Sequence, residues 1–239
     1  MMAESFTPLI VATLVFVGSH FLLSAGPVRR PLNATLGRWG FLFAYSVVAL
    51  ASFVWMCLAY RRAPFIDYWP REDWMWWLTL VVTLLASILL ACGYLSPNPA
   101  SVIGDRALAR DEPAAGIFAI TRHPVLWAIA LWAAVHMLAT GDAASLIFFG
   151  GLLVLALFGM WHIDLRRDLE GNAGWIRFRE RTSLVPFAAL VQGRARLSLA
   201  ELGWRKPVVG IVLWIVLTEG HEWVVGVVVA PWVPEPQMG

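Results

Sequence analysis

The chain has 239 residues, of which 59% are hydrophobic and 14% are charged, and its mean hydropathy is +0.69. These values lie far from the averages of soluble proteins and exclude an ordinary soluble enzyme. The formal net charge of +2 is too small to indicate nucleic-acid binding, so we expect no nucleic-acid partner.

Six segments are apolar enough to cross a bilayer, since a membrane-spanning helix needs about 20 residues. In chain order they cover about residues 6–27, 39–60, 74–95, 123–139, 143–163 and 206–230. Little sequence is left over for a soluble domain. We therefore predict an all-α, polytopic integral membrane protein with about six transmembrane helices, organised as a single membrane domain over residues 1–239.

The connections between these segments differ strongly in charge. The first, third and fifth connections hold 15 of the 18 Lys and Arg residues, and nine of these lie between Arg166 and Lys206. Basic residues accumulate on the cytoplasmic side of a membrane. This predicts a multi-pass protein of the inner (cytoplasmic) membrane with both termini outside and a cytoplasmic connection at about 164–205. Membrane lipid is the expected partner of this basic connection.

Histidines are the most informative polar residues, because an imidazole inside a span is costly and usually faces a cavity or a partner. All five lie in or beside predicted spans: His20, His123, His136, His162 and His221. Any one of them alone could be an interhelical hydrogen-bonding residue. Neutral imidazole is also a common ligand of transition metals and haem iron, so the set indicates a candidate cofactor site.

The depth of each histidine can be estimated from the nearest basic residue at ~1.5 Å per helical residue. On this scale His136 and His221 are level, whereas His20 lies about 7 Å lower. Glu219 and Glu222 flank His221 and could orient its ring from the second coordination sphere. The alternative is that these polar residues form the mouth of a sixth helix that ends early.

Arg122 and His123 directly precede Pro124, and proline favours the first turn of a helix. Exposed backbone amides at such a start, together with the charge of Arg122, would attract an anion. We therefore interpret Arg122 and His123 as candidate catalytic residues. The alternative is a purely structural helix start.

The fifth connection continues its helix beyond the membrane, breaks at residues 171–174 and resumes as a basic, aromatic segment. One interpretation is a cytoplasmic cover over the helix ends. The other is an amphipathic segment whose Trp175 and Phe178 enter lipid beside Arg177 and Arg181.

Several motifs resemble the NnrU family and its plant relative, the 15-cis-ζ-carotene isomerase. They are GSHFLLS at 18–24, ITRHP at 120–124, the spaced His136, GMWHIDLRR at 159–167 and RERTSLVPFAAL at 179–190. The resemblance covers nearly the whole chain. The family implies a part in bacterial denitrification, in the expression or activity of nitrite and nitric oxide reductases, with reductase components as partners.

The isomerase resemblance implies haem b held by two axial histidines, in an enzyme that converts a cis double bond to trans. By motif these ligands correspond to His20 and His136, and His123 corresponds to a further important position. Depth makes His221 the second choice as the partner of His136. The chain lacks the long plant N-terminal extension, and Leu155 stands near a position where the plant protein has histidines.

A wider resemblance reaches the isoprenylcysteine carboxyl methyltransferases, in which RHP is followed by a tyrosine and then a glycine. Here these positions are Leu126 and Ala128. Glycine permits close approach of a ligand to the backbone, so its loss argues against S-adenosylmethionine.

These observations lead to one expectation and two alternatives. We expect a haem b-binding inner-membrane protein that supports denitrification. One alternative is a haem-dependent cis-trans isomerase that acts on a carotenoid-like, lipid-soluble polyene. The other is a haem-free accessory membrane subunit, so the sequence does not decide whether the protein is an enzyme.

Overall fold

A computed structural model describes residues 5–101, 104–109, 114–227 and 229 of the chain. In these ranges the chain is helical apart from turns, loops and one isolated β-bridge between Asp67 and Asp142. A 3-10 helix covers Gly116–Ala119. The α-helices in chain order are α1 (Thr7–Ser24), α2 (Gly26–Tyr60), α3 (Asp73–Tyr94), α4 (Asp105–Leu108), α5 (Pro124–Thr140), α6 (Ala143–Glu170), α7 (Ala173–Arg181), α8 (Ala188–Val191), α9 (Leu199–Leu202), α10 (Arg205–Glu219) and α11 (His221–Val225).

Four of these helices, α1, α2, α3 and α6, are long and apolar enough to cross a membrane, and α5 is a shorter apolar helix. Many of their large apolar side chains are exposed, for example Leu14 at 66% and Phe43 at 74%. Such exposure suits helices surrounded by lipid, which is as apolar as the side chains themselves. The prediction of an all-α, polytopic membrane protein is confirmed.

Two predicted segments differ in detail. The first connection is itself helical, because α2 begins at Gly26 and is interrupted only at Gly37, whose φ is 69°. The segment predicted as one span at 206–230 is interrupted at Gly220, where α10 ends and α11 follows. Glycine destabilises the interior of a helix, and the neighbours of Gly220 in the chain, Glu219 and His221, are polar. Arg110, counted in the third connection, and residues 230–239 lie outside the described residues.

The chain divides into two compact units. The first unit consists of Met1–Glu72 and Ile129–Arg177, and the second of Asp73–Ala128 and Phe178–Gly239. The core of the first unit brings together residues from α1, α2, α5 and α6 around two adjacent phenylalanines: Leu9, Phe16, Met56, Ala133, Phe148, Phe149 and Leu152.

Within the first unit, α1 and α6 run in the same direction. Thr13 packs against Gly151, where an added Cβ would lie 2.3 Å from Thr13 Cγ2. Further along both helices, Ser24 Oγ lies 3.1 Å from His162 Nε2. If both helices span the membrane, an odd number of crossings must separate them. Single crossings by α2, α3 and α5 satisfy this requirement, which favours the short α5 as a span.

In the second unit, α3 and α10 pack closely in opposite directions. A Cβ on Gly210 would lie only 2.6 Å from the Cα of Ile88, so glycine permits this approach of the two backbones. The Trp214 indole donates to Thr83 Oγ1 at 3.1 Å, and Lys206 Nζ donates to Ser96 Oγ at 2.9 Å.

The predicted break in the fifth connection is confirmed, since α6 ends at Glu170 and Gly171 adopts the left-handed conformation with φ 65°. The rings of Trp175 and Phe178 are completely buried. The Trp175 indole donates to Asp168 Oδ1 at 2.9 Å, and Phe178 packs edge-on against Phe118. These rings therefore pack inside the protein and do not enter lipid.

Candidate functional site

His20 in α1 carries its ring proton on a defined nitrogen. Its Nδ1 lies 2.7 Å from the carbonyl oxygen of Phe16, one helical turn earlier. A carbonyl oxygen only accepts hydrogen bonds, so Nδ1 is the donor and Nε2 holds the lone pair. The half-buried ring contacts Phe16 and Tyr45, with centroids 4.5 and 5.5 Å away.

His136 in α5 repeats this arrangement. Its Nδ1 lies 2.7 Å from the carbonyl oxygen of Trp132, so Nε2 again holds the lone pair. The half-buried ring lies between aromatic neighbours, with its centroid 4.8 Å from that of Trp132 and 5.1 Å from that of Phe149. Metal-bound histidines commonly donate their other ring N–H in this way, so each imidazole alone fits an axial ligand of iron.

The two imidazoles lie at different levels of the first unit. Ser24 of α1 contacts His162 of α6. Because the two helices run in the same direction, His20, four residues before Ser24, lies level with residue 158 of α6. His136 instead contacts Phe149. Nine residues of helix separate these levels, which is about 13 Å, and phenylalanine rings fill the space between them.

Two axial nitrogens on one iron lie about 4 Å apart, since each metal–imidazole bond is about 2 Å long. The described geometry therefore does not place His20 and His136 on one iron, and their pairing remains a prediction. The depth estimate for His20 uses Arg29 as the nearest basic residue and assumes one continuous helix between them, but α1 ends at Ser24. His20 consequently lies closer to the end of its helix than the sequence implied.

The remaining membrane histidines make different contacts. His162 Nε2 faces Ser24 Oγ, and that hydroxyl donates to the carbonyl oxygen of His20 at 2.6 Å, so His162 links α6 to α1. His221 belongs to the second unit and begins α11. Its Nδ1 lies 3.0 Å from the carbonyl oxygen of Val227, which agrees with the mouth of a helix that ends early. Its role as a haem ligand stays a prediction.

In the second unit, the segment before α5 packs against residues 182–187. The Arg122 backbone N–H donates to the Ser183 carbonyl oxygen at 2.9 Å, and the Phe187 N–H donates to that of Ile120 at 2.8 Å. Thr121, which is completely buried, donates through Oγ1 to the Leu184 carbonyl oxygen at 2.9 Å. Two motifs about 60 residues apart are thus held together as one structure.

Arg122 and His123 occupy different environments in this structure. The Arg122 guanidinium donates through Nη1 to the Thr182 carbonyl oxygen at 3.2 Å, and its side chain lines a pocket. His123 is 3% exposed and is not among the residues that line the pocket. The backbone N–H of His123 donates to Thr121 Oγ1 at 3.3 Å. The amides of residues 122 and 123 therefore bond to the protein, so the exposed amides that the sequence predicted are not found at these two residues.

The pocket beside Arg122 has a volume of about 290 Å³ and lies within the second unit. Three of its lining residues are arginines and three are apolar: Arg122, Arg179, Arg194, Leu184, Val185 and Ala188. Sequence reasoning selected Arg122 but missed the other two arginines. The RERTSLVPFAAL motif contains Arg179, but nothing local in it predicts packing against ITRHP, and Arg194 lies outside the motif.

The family described as NnrU protein matches residues 8–229 of the chain. The chain belongs to the NnrU family. Two curated relatives match a shorter stretch. The chloroplastic 15-cis-zeta-carotene isomerase of Zea mays is 35% identical over 82 residues, which are 34% of this chain and 22% of that protein. Its counterpart from Arabidopsis thaliana is 35% identical over 79 residues, 33% of this chain and 22% of the relative.

The match with this NnrU-family protein therefore spans about a fifth of the length of these isomerases. No solved structure matches the chain. Among the described residues of the NnrU-family chain, no group of three or more His, Cys, Asp or Glu residues is arranged to hold a metal ion. Haem iron needs only one or two protein ligands, so single histidines remain the candidates.

Proposed function

We propose that this NnrU-family protein binds haem b in the bacterial inner membrane, with His136 as an iron ligand, and supports denitrification. The observation that carries the proposal is the hydrogen bond from His136 Nδ1 to the Trp132 carbonyl oxygen. With Nδ1 as the donor, Nε2 is the ring nitrogen that carries the lone pair, the type of atom that binds haem iron. The helix around it is apolar, and an imidazole is costly there unless it has a role.

The role in denitrification rests on the family to which the chain belongs. Bound haem b would supply an iron that transfers electrons or binds a small ligand. The chain itself orients His136 and surrounds it with apolar residues that exclude water. We place both termini outside because of the basic connections, although the matched relatives are chloroplastic by name.

Haem content and spectra test this proposal. We expect protein purified in mild detergent from haem-replete cells to contain haem b, and we expect His136→Ala to change its spin state because an axial ligand is lost. Parallel spectra of His20→Ala and His221→Ala identify any second ligand, and His162→Ala is the matched control. An unchanged spectrum for His136→Ala, or no haem in a folded preparation, contradicts the proposal.

A second function is favoured by the similarity to two carotene isomerases. A haem-dependent isomerase would take a lipid-soluble cis polyene directly from the bilayer. Product analysis after supplying a cis polyene to the same preparation separates this function from a role in denitrification. Folded, functional protein without haem would instead indicate an accessory subunit that stabilises reductase components.

A further inference from the structure

Three arginines depart from the charge pattern that predicts the topology. Arg61, Arg62 and Arg71 lie in the second connection, on the side predicted to be outside, whereas basic residues accumulate on the cytoplasmic side of a membrane. Arg61 and Arg62 are exposed and directly follow the end of α2 at Tyr60. Arg71 differs from them, because it contacts the helix that carries His136.

The segment that carries Arg71 is fixed to the end of α5 by hydrogen bonds. The Trp69 indole donates to the Leu138 carbonyl oxygen at 2.9 Å, and the Tyr68 N–H donates to that of Gly141 at 2.8 Å. A Cβ at Gly141 would lie 2.8 Å from Trp69 Nε1, so glycine permits this close contact. The fold therefore sets the position of Arg71 beside α5.

Arg71 lies about one helical turn beyond His136. Its Nε donates to the Thr140 carbonyl oxygen at 3.3 Å, and Thr140 Oγ1 donates to the His136 carbonyl oxygen at 2.7 Å. Four residues of helix correspond to about 6 Å along the axis, and all three residues belong to the first unit. A guanidinium thus marks the end of α5, whereas the neighbours of the His136 ring, Trp132 and Phe149, are aromatic.

The contacts of Arg71 allow it to bind a further carboxylate. Asp67 Oδ1 lies 3.9 Å from Arg71 Nη2, and the two side chains are 54% and 60% exposed, so this ion pair is weak. The guanidinium also lies 5.8 Å from the ring of Phe65, a contact that leaves its charge in place. Because a guanidinium has five N–H donors, a second carboxylate can compete with Asp67 or join it.

We propose that Arg71 binds a carboxylate of haem b when His136 holds the iron, an inference that rests on the proposed function. Haem b is an apolar macrocycle with two carboxylates on one edge, and arginine pairs strongly with carboxylates. The aromatic neighbours of His136 suit the macrocycle and Arg71 suits its charged edge, so this edge faces the end of α5. The charge of Arg71 also favours ferrous over ferric haem, because the ferric form carries one more positive charge.

The test uses the full chain in mild detergent, loaded with haem b. The rate of haem transfer to excess apomyoglobin and the midpoint potential of the haem are measured for Arg71→Gln and Asp67→Asn. Arg62→Gln is the matched control, because Arg62 is an exposed arginine of the same connection. The same proteins are also loaded with the dimethyl ester of haem b, which has no free carboxylate.

We expect Arg71→Gln to release haem b roughly threefold to fivefold faster, the upper part of the range for an exposed ion pair, and to lower its midpoint potential. Asp67→Asn should raise the potential, because it removes a nearby negative charge. Arg62→Gln should leave the release rate unchanged. The diester should leave the wild-type protein and Arg71→Gln at equal rates, since it offers Arg71 no carboxylate.

Equal release of haem b by Arg71→Gln and Arg62→Gln, or a faster release of the diester by Arg71→Gln, overturns this inference. The haem proposal survives such a result if His136→Ala still changes the spectrum. Asp67→Asn is an independent test that keeps Arg71 intact, and an unchanged or lowered potential in this variant also contradicts the inference. A folded preparation without haem contradicts both proposals.

Discussion

At the residue scale, hydrogen bonds to nearby oxygens distinguish the two ring nitrogens of each membrane histidine. His20 and His136 each bond through Nδ1 to a carbonyl oxygen one turn earlier, so the lone pair is on Nε2. In His221 Nδ1 likewise lies beside a carbonyl oxygen, that of Val227, whereas in His162 it is Nε2 that faces Ser24. His162 therefore differs from the other three in the ring nitrogen of its hydrogen bond, a difference that the sequence does not show.

His123 provides a residue-scale prediction. Because its side chain is buried and does not line the pocket, we expect His123→Ala to destabilise the protein by about 1–3 kcal/mol, since the smaller side chain leaves a cavity. Its melting temperature in detergent and its level in the membrane should both fall. His221→Ala, at a half-buried position, should change both much less.

A different result would favour a direct role of His123 in the site. In that case His123→Ala would have a normal melting temperature and membrane level, while cells carrying it would lose nitrite or nitric oxide reduction.

At the scale of elements, glycines decide how closely the membrane helices approach. Gly210 of α10 faces the backbone of α3 at Ile88, and Gly151 of α6 faces Thr13 of α1. The first contact involves backbone atoms, which cannot rotate away as a side chain can. Gly159, also in α6, has no such neighbour within 4 Å.

These contacts predict opposite effects of one substitution. We expect Gly210→Ala to destabilise the second unit by about 1–3 kcal/mol, because the added methyl group overlaps Ile88 and forces the helices apart. Gly159→Ala should be neutral or slightly stabilising, since alanine favours helix more than glycine does. Thermal unfolding in detergent measures both, and equal melting temperatures would refute the close packing of α3 and α10.

At the scale of the whole molecule, helix direction limits the number of membrane crossings between α1 and α6. If both helices span the membrane, their parallel course requires an odd number of crossings between them, and single crossings by α2, α3 and α5 meet this requirement. The basic connections predict the orientation, because arginine and lysine accumulate on the cytoplasmic side of a membrane.

Reporter fusions test this topology. We expect a reporter at Gly141, between α5 and α6, to lie outside, and one near Arg194 to lie in the cytoplasm. A reporter after Gly239, which is outside the described residues, should also lie outside if the segment after Lys206 crosses the membrane. A cytoplasmic C-terminus would contradict six crossings, and a cytoplasmic Gly141 would show that α5 does not cross.

The sequence by itself determined the all-helical membrane class, the start of α5 at Pro124 and the break after Glu170. Each depends on local features: a long apolar run, the fixed backbone of proline, and glycine in a left-handed conformation. It also determined the family, because the motifs extend over most of the chain.

Only the tertiary structure decided which distant residues meet. It joined Thr121 to Leu184 and brought Arg122 and Arg194 to one carbonyl oxygen. It also set His20 about 13 Å from the level of His136 along the helices, about twice the offset obtained by counting from basic residues. The physical reason is that helix length and charge are encoded locally, whereas the register between helices depends on how side chains from distant segments pack.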